Sequence, residues 1–167
     1  GCLAVNSFEG LMRYNAKGEL EPACAESYEV SEDGLTYTFT MRDGLKWSNG
    51  AELSAKDFEY AWKRMANPDT AADYSYLCAM FAGYDETKGL ADDDVVASED
   101  GKTLTVKLAA VTPYFLDLCA FPTFFPVYQD AVENNADWAN DAGENFVTNG
   151  AFTLKSWNHD SSMVYVK

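Results

Sequence analysis

The chain has 167 residues, 47% of them hydrophobic and 14% aromatic, and its 27 Asp and Glu outnumber 12 Lys and Arg to leave a net charge of −15. That apolar supply supports one cored domain, with room for part of a second, and excludes a disordered chain. The charge excludes a basic face able to displace phosphate counterions from nucleic acid, and an anionic bilayer would repel it.

In chain order, Phe8 to Arg13 reads as a short helix. Ser27 to Ser31 and Leu35 to Met41 read as paired strands, the second with Leu35, Tyr37, Phe39 and Met41 alternating with Thr36, Thr38 and Thr40. Glu32-Asp33-Gly34 between them has hairpin-turn chemistry. Asp43-Gly44 and Ser48-Asn49-Gly50 mark further turns. Ser54 reads as an N-cap, with Asp57 as a weaker capping-box partner. Phe58, Ala61, Trp62 and Met65 then recur at helical spacing, which predicts a helix over Ala55–Ala66 ended by Asn67-Pro68.

A second helix is expected over Ala71 to Phe81. Val95–Ser98 and Thr103–Leu108 form another hairpin around Glu99-Asp100-Gly101. Pro113 can open a helix to about Ala120, and Gln129–Asn134 is a weaker helix. Phe152–Lys155 and Met163–Val166 read as strands, and the chain stops within the last, as a piece cut from a longer protein would. Trp47, Trp62 and Trp157 fit packing faces and are expected in the core. Hairpins mixed with helices, without regular βαβ alternation, indicate an α+β fold with a mixed, largely antiparallel sheet and packed helices.

Chemistry-bearing motifs are scarce. His159 is the single histidine, beside Asn158 and Asp160, and reads as a solvated loop residue. No G-x-S-x-G, H-E-x-x-H or phosphate-binding G-x-x-x-x-G-K-[ST] occurs. Asp92-Asp93-Asp94 lacks the pattern of a calcium loop and reads as a solvated turn. Paired carboxylates for a hydrolase are not excluded by counting, yet nothing singles out a pair. Cys2, Cys24, Cys78 and Cys119 form no C-x-x-C, and their three possible full pairings stay open. Cys78 and Cys119 sit in apolar stretches and read as buried thiols. The expectation is a protein with no catalytic residues, no metal and no cofactor. No run approaches the roughly 18 apolar residues of a membrane span. The longest greasy stretch, Tyr114 to Val127, is broken by Asp117, Pro122 and Pro126. No leader-like basic and apolar region precedes Cys2, so Gly1-Cys2 does not read as a lipoprotein cleavage site.

Four segments in order carry a resemblance. They are FEGL at Phe8–Leu11 with PACAESYEVSEDGLTYTFTMRDGLKWSNG at Pro22–Gly50, ELSAKDFEYAWKRMANPDTAADYSYL at Glu52–Leu77, the hairpin with PYFLDLCAFPTFFPV across Leu104–Val127, and VTNGAFTLKSW at Val147–Trp157. Together they resemble the dipeptide/oligopeptide-binding family of bacterial extracellular solute-binding proteins, the substrate-binding components of ABC importers. Asn49 and Ser54 stand where the family usually has Asp and Thr, and both keep the turn and cap roles.

The resemblance implies a partial lobe of a two-lobed, type II periplasmic-binding-protein-like fold. Residues of about 12–128 would form a peripheral domain on the first lobe, and about 145–167 would return into that lobe. It further implies capture of short peptides outside the cytoplasmic membrane and delivery to a membrane permease. Nucleic acid, direct membrane insertion and enzymatic turnover have no place in that scheme. Any lipid anchor would lie outside this segment. Relatives with this fold also carry nickel, sugars or opines. Tyr74, Tyr76 and Phe121 match the region placed against the ligand; the competing reading makes all three core aromatics.

Overall fold

The computed structural model describes residues 2–167. Helix α1 (Cys2–Ser7) leads into strands β1 (Met12–Tyr14) and β2 (Leu20–Pro22), which pair antiparallel. A four-stranded antiparallel sheet follows, built from β3 (Ala25–Val30), β4 (Thr36–Met41), β5 (Val95–Ala97) and β6 (Thr103–Lys107) in the order β3-β4-β6-β5. A third, two-stranded sheet joins β7 (Thr153–Asn158) to β8 (Ser162–Val166). The fold is α+β as expected, and every ladder among the described residues is antiparallel.

The threonine alternation works as period two requires. Tyr37, Phe39 and Met41 are buried with Leu104, Val106 and Val95 on the inner face, while Thr36, Thr38 and Thr40 lie on the outer one. Both hairpins of this sheet close with the same four residues. Ser31-Glu32-Asp33-Gly34 and Ser98-Glu99-Asp100-Gly101 each place the glycine at positive φ, 73° and 70°. In each, the aspartate accepts from the serine hydroxyl and from the backbone N–H two residues on, at Leu35 and Lys102.

Helix α2 (Ala55–Ala66) covers the inner face. The Lys56 N–H donates to Ser54 Oγ, and the Ser54 N–H donates to the Asp57 carboxylate at 2.8 Å, so the capping box is formed. Phe58, Ala61, Trp62 and Met65 are buried as their spacing predicts. Trp62 is the centre of the core. Its ring meets Phe58, Phe115 and Phe124 edge-on at 5.4–6.5 Å, and its indole N–H donates to the Phe124 carbonyl at 2.9 Å. Trp47 is also buried. Trp157 is not in the core; it is half-buried at the surface and stacks on exposed His159, with ring centroids 4.5 Å apart.

Three expected helices are corrected. Phe8–Arg13 is not helical: α1 ends at Ser7, and the segment is extended. Its backbone is taken up by distant partners, because Ala23 and Ala25 both donate to the Leu11 carbonyl, Cys24 donates to Gly10, and Met12 donates to Cys119. Gly10 also lies so close to the Cys119 carbonyl that a Cβ would sit 2.3 Å from it. Ala71–Phe81 forms no α-helix: Ala71 is left-handed and ends the 3-10 turn Pro68–Thr70, and a second 3-10 turn, Ser75–Met80, is the only helical piece within the range. The expected helix at Pro113–Ala120 shrinks to a single turn, α3 (Phe115–Leu118). The weaker helix α4 (Gln129–Asn134) forms as expected.

The segment before β7 is stitched back to the start of the chain. Asn149 accepts from the Glu9 N–H and donates to the Glu9 carbonyl, while Ser48 and Thr148 exchange two further bonds. A Cβ on Gly150 would meet the Ser7 and Phe8 backbone within 2.5–2.7 Å, so only glycine lets the two segments approach.

Candidate functional site

Tyr74 precedes the 3-10 turn Ser75–Met80, whose first bond runs from the Leu77 N–H to the Tyr74 carbonyl. Phe121 follows α3 and caps the turn Pro122–Phe124. The fold brings these distant positions together. The Tyr74 ring lies 5.8 Å from Phe121, edge to face, and 6.1 Å from Tyr76. All three are open to solvent: Tyr74 is 47% exposed, Tyr76 64% and Phe121 38%. The reading of them as core aromatics therefore does not hold for this chain. Neither tyrosine hydroxyl has a hydrogen bond among the described residues.

Tyr74 is also one wall of a cavity of about 360 Å³. Helix α2 contributes Ala61, Arg64 and Met65, one i, i+3, i+4 face. Phe125, Pro126 and Val127 contribute from the extended run after Pro122, and Phe8 closes the side nearest α1. Trp138, from the loop after α4, completes the wall. That loop is shaped by Asn135, whose side chain accepts from the Asp137 N–H and whose carbonyl accepts from the Trp138 N–H. The lining is mainly apolar, with Arg64 and Asp73 as its charged members. An apolar cavity with a few placed polar groups and an aromatic rim holds a small ligand by burial and stacking.

The sequence reading missed Trp138, Arg64, Phe8 and Phe125. A lone tryptophan in the polar run Asn134 to Asp141 was a usable signal, since nothing local there gives it a core to enter. The other three depend on which segments meet in space.

Among the described residues, no group of three or more His, Cys, Asp or Glu could hold a metal ion. Asp94 is not part of a solvated turn: it is 1% exposed, and its carboxylate accepts from the Gly83 and Ala91 N–H groups at 2.7 and 2.9 Å. Cys78 and Cys119 are buried free thiols, as is Cys24. Burial pushes the Cys78 thiol up to about 12 and Cys119 well above its ordinary value, which removes the thiolate needed for reactivity.

Tyr74 joins an exposed aromatic cluster to an apolar cavity, an arrangement suited to holding a ligand, and the α+β frame is that of an extracellular solute-binding protein. The family model described as "Bacterial extracellular solute-binding proteins, family 5 Middle" matches residues 19–167. The chain belongs to that family, which groups extracellular solute-binding proteins rather than enzymes. The oligopeptide-binding protein OppA of Bacillus subtilis is 44% identical over 164 residues, covering 96% of this chain and 30% of that protein. The substrate-binding domain of an oligopeptide ABC transporter from Bacillus anthracis superposes with a TM-score of 0.92 at 36% identity, covering 99% of this chain and 32% of that one. Listeria monocytogenes OppA bound to peptide gives a TM-score of 0.90 at 35% identity, covering 99% and 33%. The chain thus spans about a third of the length of the relatives it matches. No helix among the described residues is long and apolar enough to cross a membrane.

Proposed function

We propose that this chain is part of the first lobe of an ABC-importer substrate-binding component that captures short peptides outside the cytoplasmic membrane and hands them to a membrane permease. The observation that carries the reading is the exposed Tyr74–Tyr76–Phe121 cluster, whose Tyr74 also lines an apolar cavity, in a fold shared with a peptide-bound structure. Tyr74, Tyr76 and Phe121 touch the ligand from this side, and the second lobe closes over it by a hinge motion. Main-chain hydrogen bonds supply affinity independent of peptide sequence, and water in roomy side pockets adapts to different side chains.

Residues of about 12–128 form the peripheral domain in this reading, and about 145–167 return to the first lobe. The two Thr148–Ser48 bonds join those parts, and the Asn149–Glu9 bonds tie the returning segment to the residues that precede the peripheral domain. The protein works in the periplasm or at the cell surface, there held by a lipid anchor outside this segment.

The test is a ligand-induced melting screen on the full-length polypeptide with short peptides, sugars and nickel. Peptides alone are expected to raise the melting temperature. A shift with sugar or nickel and none with peptides would overturn peptide capture while leaving the family intact.

A further inference from the structure

The loop between α4 and β7 spends its hydrogen bonds on itself. Among the described residues, 136–145 bond only to one another and to the two flanking positions. The Asp137 and Trp138 N–H groups donate to Asn135, Asn140 donates twice to Asp137, Ala142 donates to the Asp141 side chain, and the Phe146 N–H donates to the Gly143 carbonyl. Asp137, Asp141 and Glu144 form no ion pair among the described residues.

Both ends of the loop are fixed. The Asn135 N–H donates to the Ala131 carbonyl in α4. Phe146 is buried, its ring edge to face with Phe8 at 5.8 Å. Gly143, at φ 144°, bends the chain beside that second post in a conformation suited to glycine.

Between the posts one residue reaches the rest of the molecule. Trp138 is the loop's single large apolar side chain, it is half-buried, and it lines the cavity that Tyr74, Met65 and Val127 also line. Its ring meets no other ring, and its indole N–H has no acceptor, among the described residues. Apolar contact at the cavity is therefore what seats the loop. Unseating it breaks no hydrogen bond to the rest of the fold, which places the loop at the low-stability end of the molecule. About 360 Å³ stays free with Trp138 in place, so this residue covers the space and does not fill it.

We propose that residues 136–145 are a lid over the apolar cavity, with Trp138 as its latch. The lid lifts about Asn135 and Gly143, admits an apolar group of the ligand, and reseats Trp138 over it. The ligand group adds apolar contact beneath the latch, so occupancy holds the lid down. The inference rests on ligand capture at this cavity and deepens it: the first lobe carries a closing element of its own, apart from the hinge between lobes.

NMR relaxation of the nitrogen-15-labelled chain tests this, with N-acetyl-leucinamide as an uncharged apolar probe taken to high millimolar concentration. In the free chain the amides of 136–145 and the Trp138 indole are expected to share one opening rate on the microsecond-to-millisecond scale, which α2 and β4 do not show. The probe should quench that exchange along the whole loop. Trp138→Ala should leave the Trp47 and Trp62 indole signals in place, turn the loop loose on the nanosecond scale, and weaken the probe about threefold or more through lost apolar contact. A merely static wall residue would weaken the probe without any coupled motion of the loop. If Trp138→Ala disturbs the Trp62 signal, Trp138→Phe decides: a smaller latch should open faster and still be quenched by the probe. A loop as still as α2 in the free chain, a loop unchanged by Trp138→Ala, motion that ignores the probe, or no binding of the probe overturns the lid. The melting screen reads peptide capture separately. Peptides that stabilise the full-length polypeptide while the loop ignores the probe sink the lid alone, and a loop that closes on the probe while no peptide stabilises sinks peptide capture alone.

Discussion

Trp62 shows how much one residue can hold. It is fully buried, touches four aromatic rings and gives its indole N–H to Phe124, so it ties α2 to the segment that carries Phe121 and the cavity wall. Truncation to alanine removes the transfer energy of the ring, opens a cavity and orphans a carbonyl. Trp62→Ala is expected to cost about 3–5 kcal/mol in urea unfolding, with Trp62→Phe losing clearly less; a loss below about 1 kcal/mol would show that the helix face was assigned wrongly. Helical spacing made Trp62 legible, because Phe58 and Met65 repeat its face. Trp157 was misread for want of such a repeat: its strand neighbours are mostly exposed, and its ring found His159 rather than a core. Tyr74, Tyr76 and Phe121 were named from resemblance. That Tyr74 meets Phe121 across 47 positions of chain is a tertiary fact, as is the meeting of Phe8, Arg64, Phe125 and Trp138 on one cavity.

At the scale of elements, what was legible is local. The Ser54–Asp57 box and the two Ser-Glu-Asp-Gly turns complete their bonds within a few residues, and the threonine alternation of β4 declares its two faces by period alone, although β4 pairs with distant β6. What was not legible is where distant partners outbid local preference, as at Gly10–Met12, and the left-handed Ala71 that closes the Pro68–Thr70 turn and stops a helix from running on. The turns make a pH prediction. Asp33 is held below its ordinary value, first by the Ser31 hydroxyl and then by the Leu35 N–H; Asp100 is likewise lowered by Ser98 and Lys102. A carboxyl with a lowered folded pKa adds stability that is present above its unfolded value, about 3.9, and is lost as pH falls through the folded one. Both groups are fully exposed, so the effect is small. Melting temperature should fall on acidification through that window, and Asp33→Asn with Asp100→Asn should flatten the fall. An unchanged slope in the double variant would mean that the turns do not use the charge.

For the whole molecule the question is how much binding this chain retains. It matches about 30% of the length of the Bacillus subtilis oligopeptide-binding protein, and in the proposed reading the ligand lies between two lobes, the second of which closes over it. The expected outcome is that the chain alone binds tri- to pentapeptides poorly, with only the aromatic cluster and its neighbouring cavity left to hold them. Each main-chain hydrogen bond adds about 0.5–1.5 kcal/mol net, and those to charged groups about 1.5–3. Losing several of these, together with the water exclusion of closure, removes on the order of 5 kcal/mol. At about 1.4 kcal/mol per tenfold, that weakens binding by three to four powers of ten, so a micromolar binder falls below millimolar strength. Calorimetry of the chain and of the full-length polypeptide with the same peptides makes the comparison. Micromolar binding by the chain alone would put the whole site around Tyr74, Tyr76, Phe121 and their cavity, and would leave the second lobe without a share in affinity.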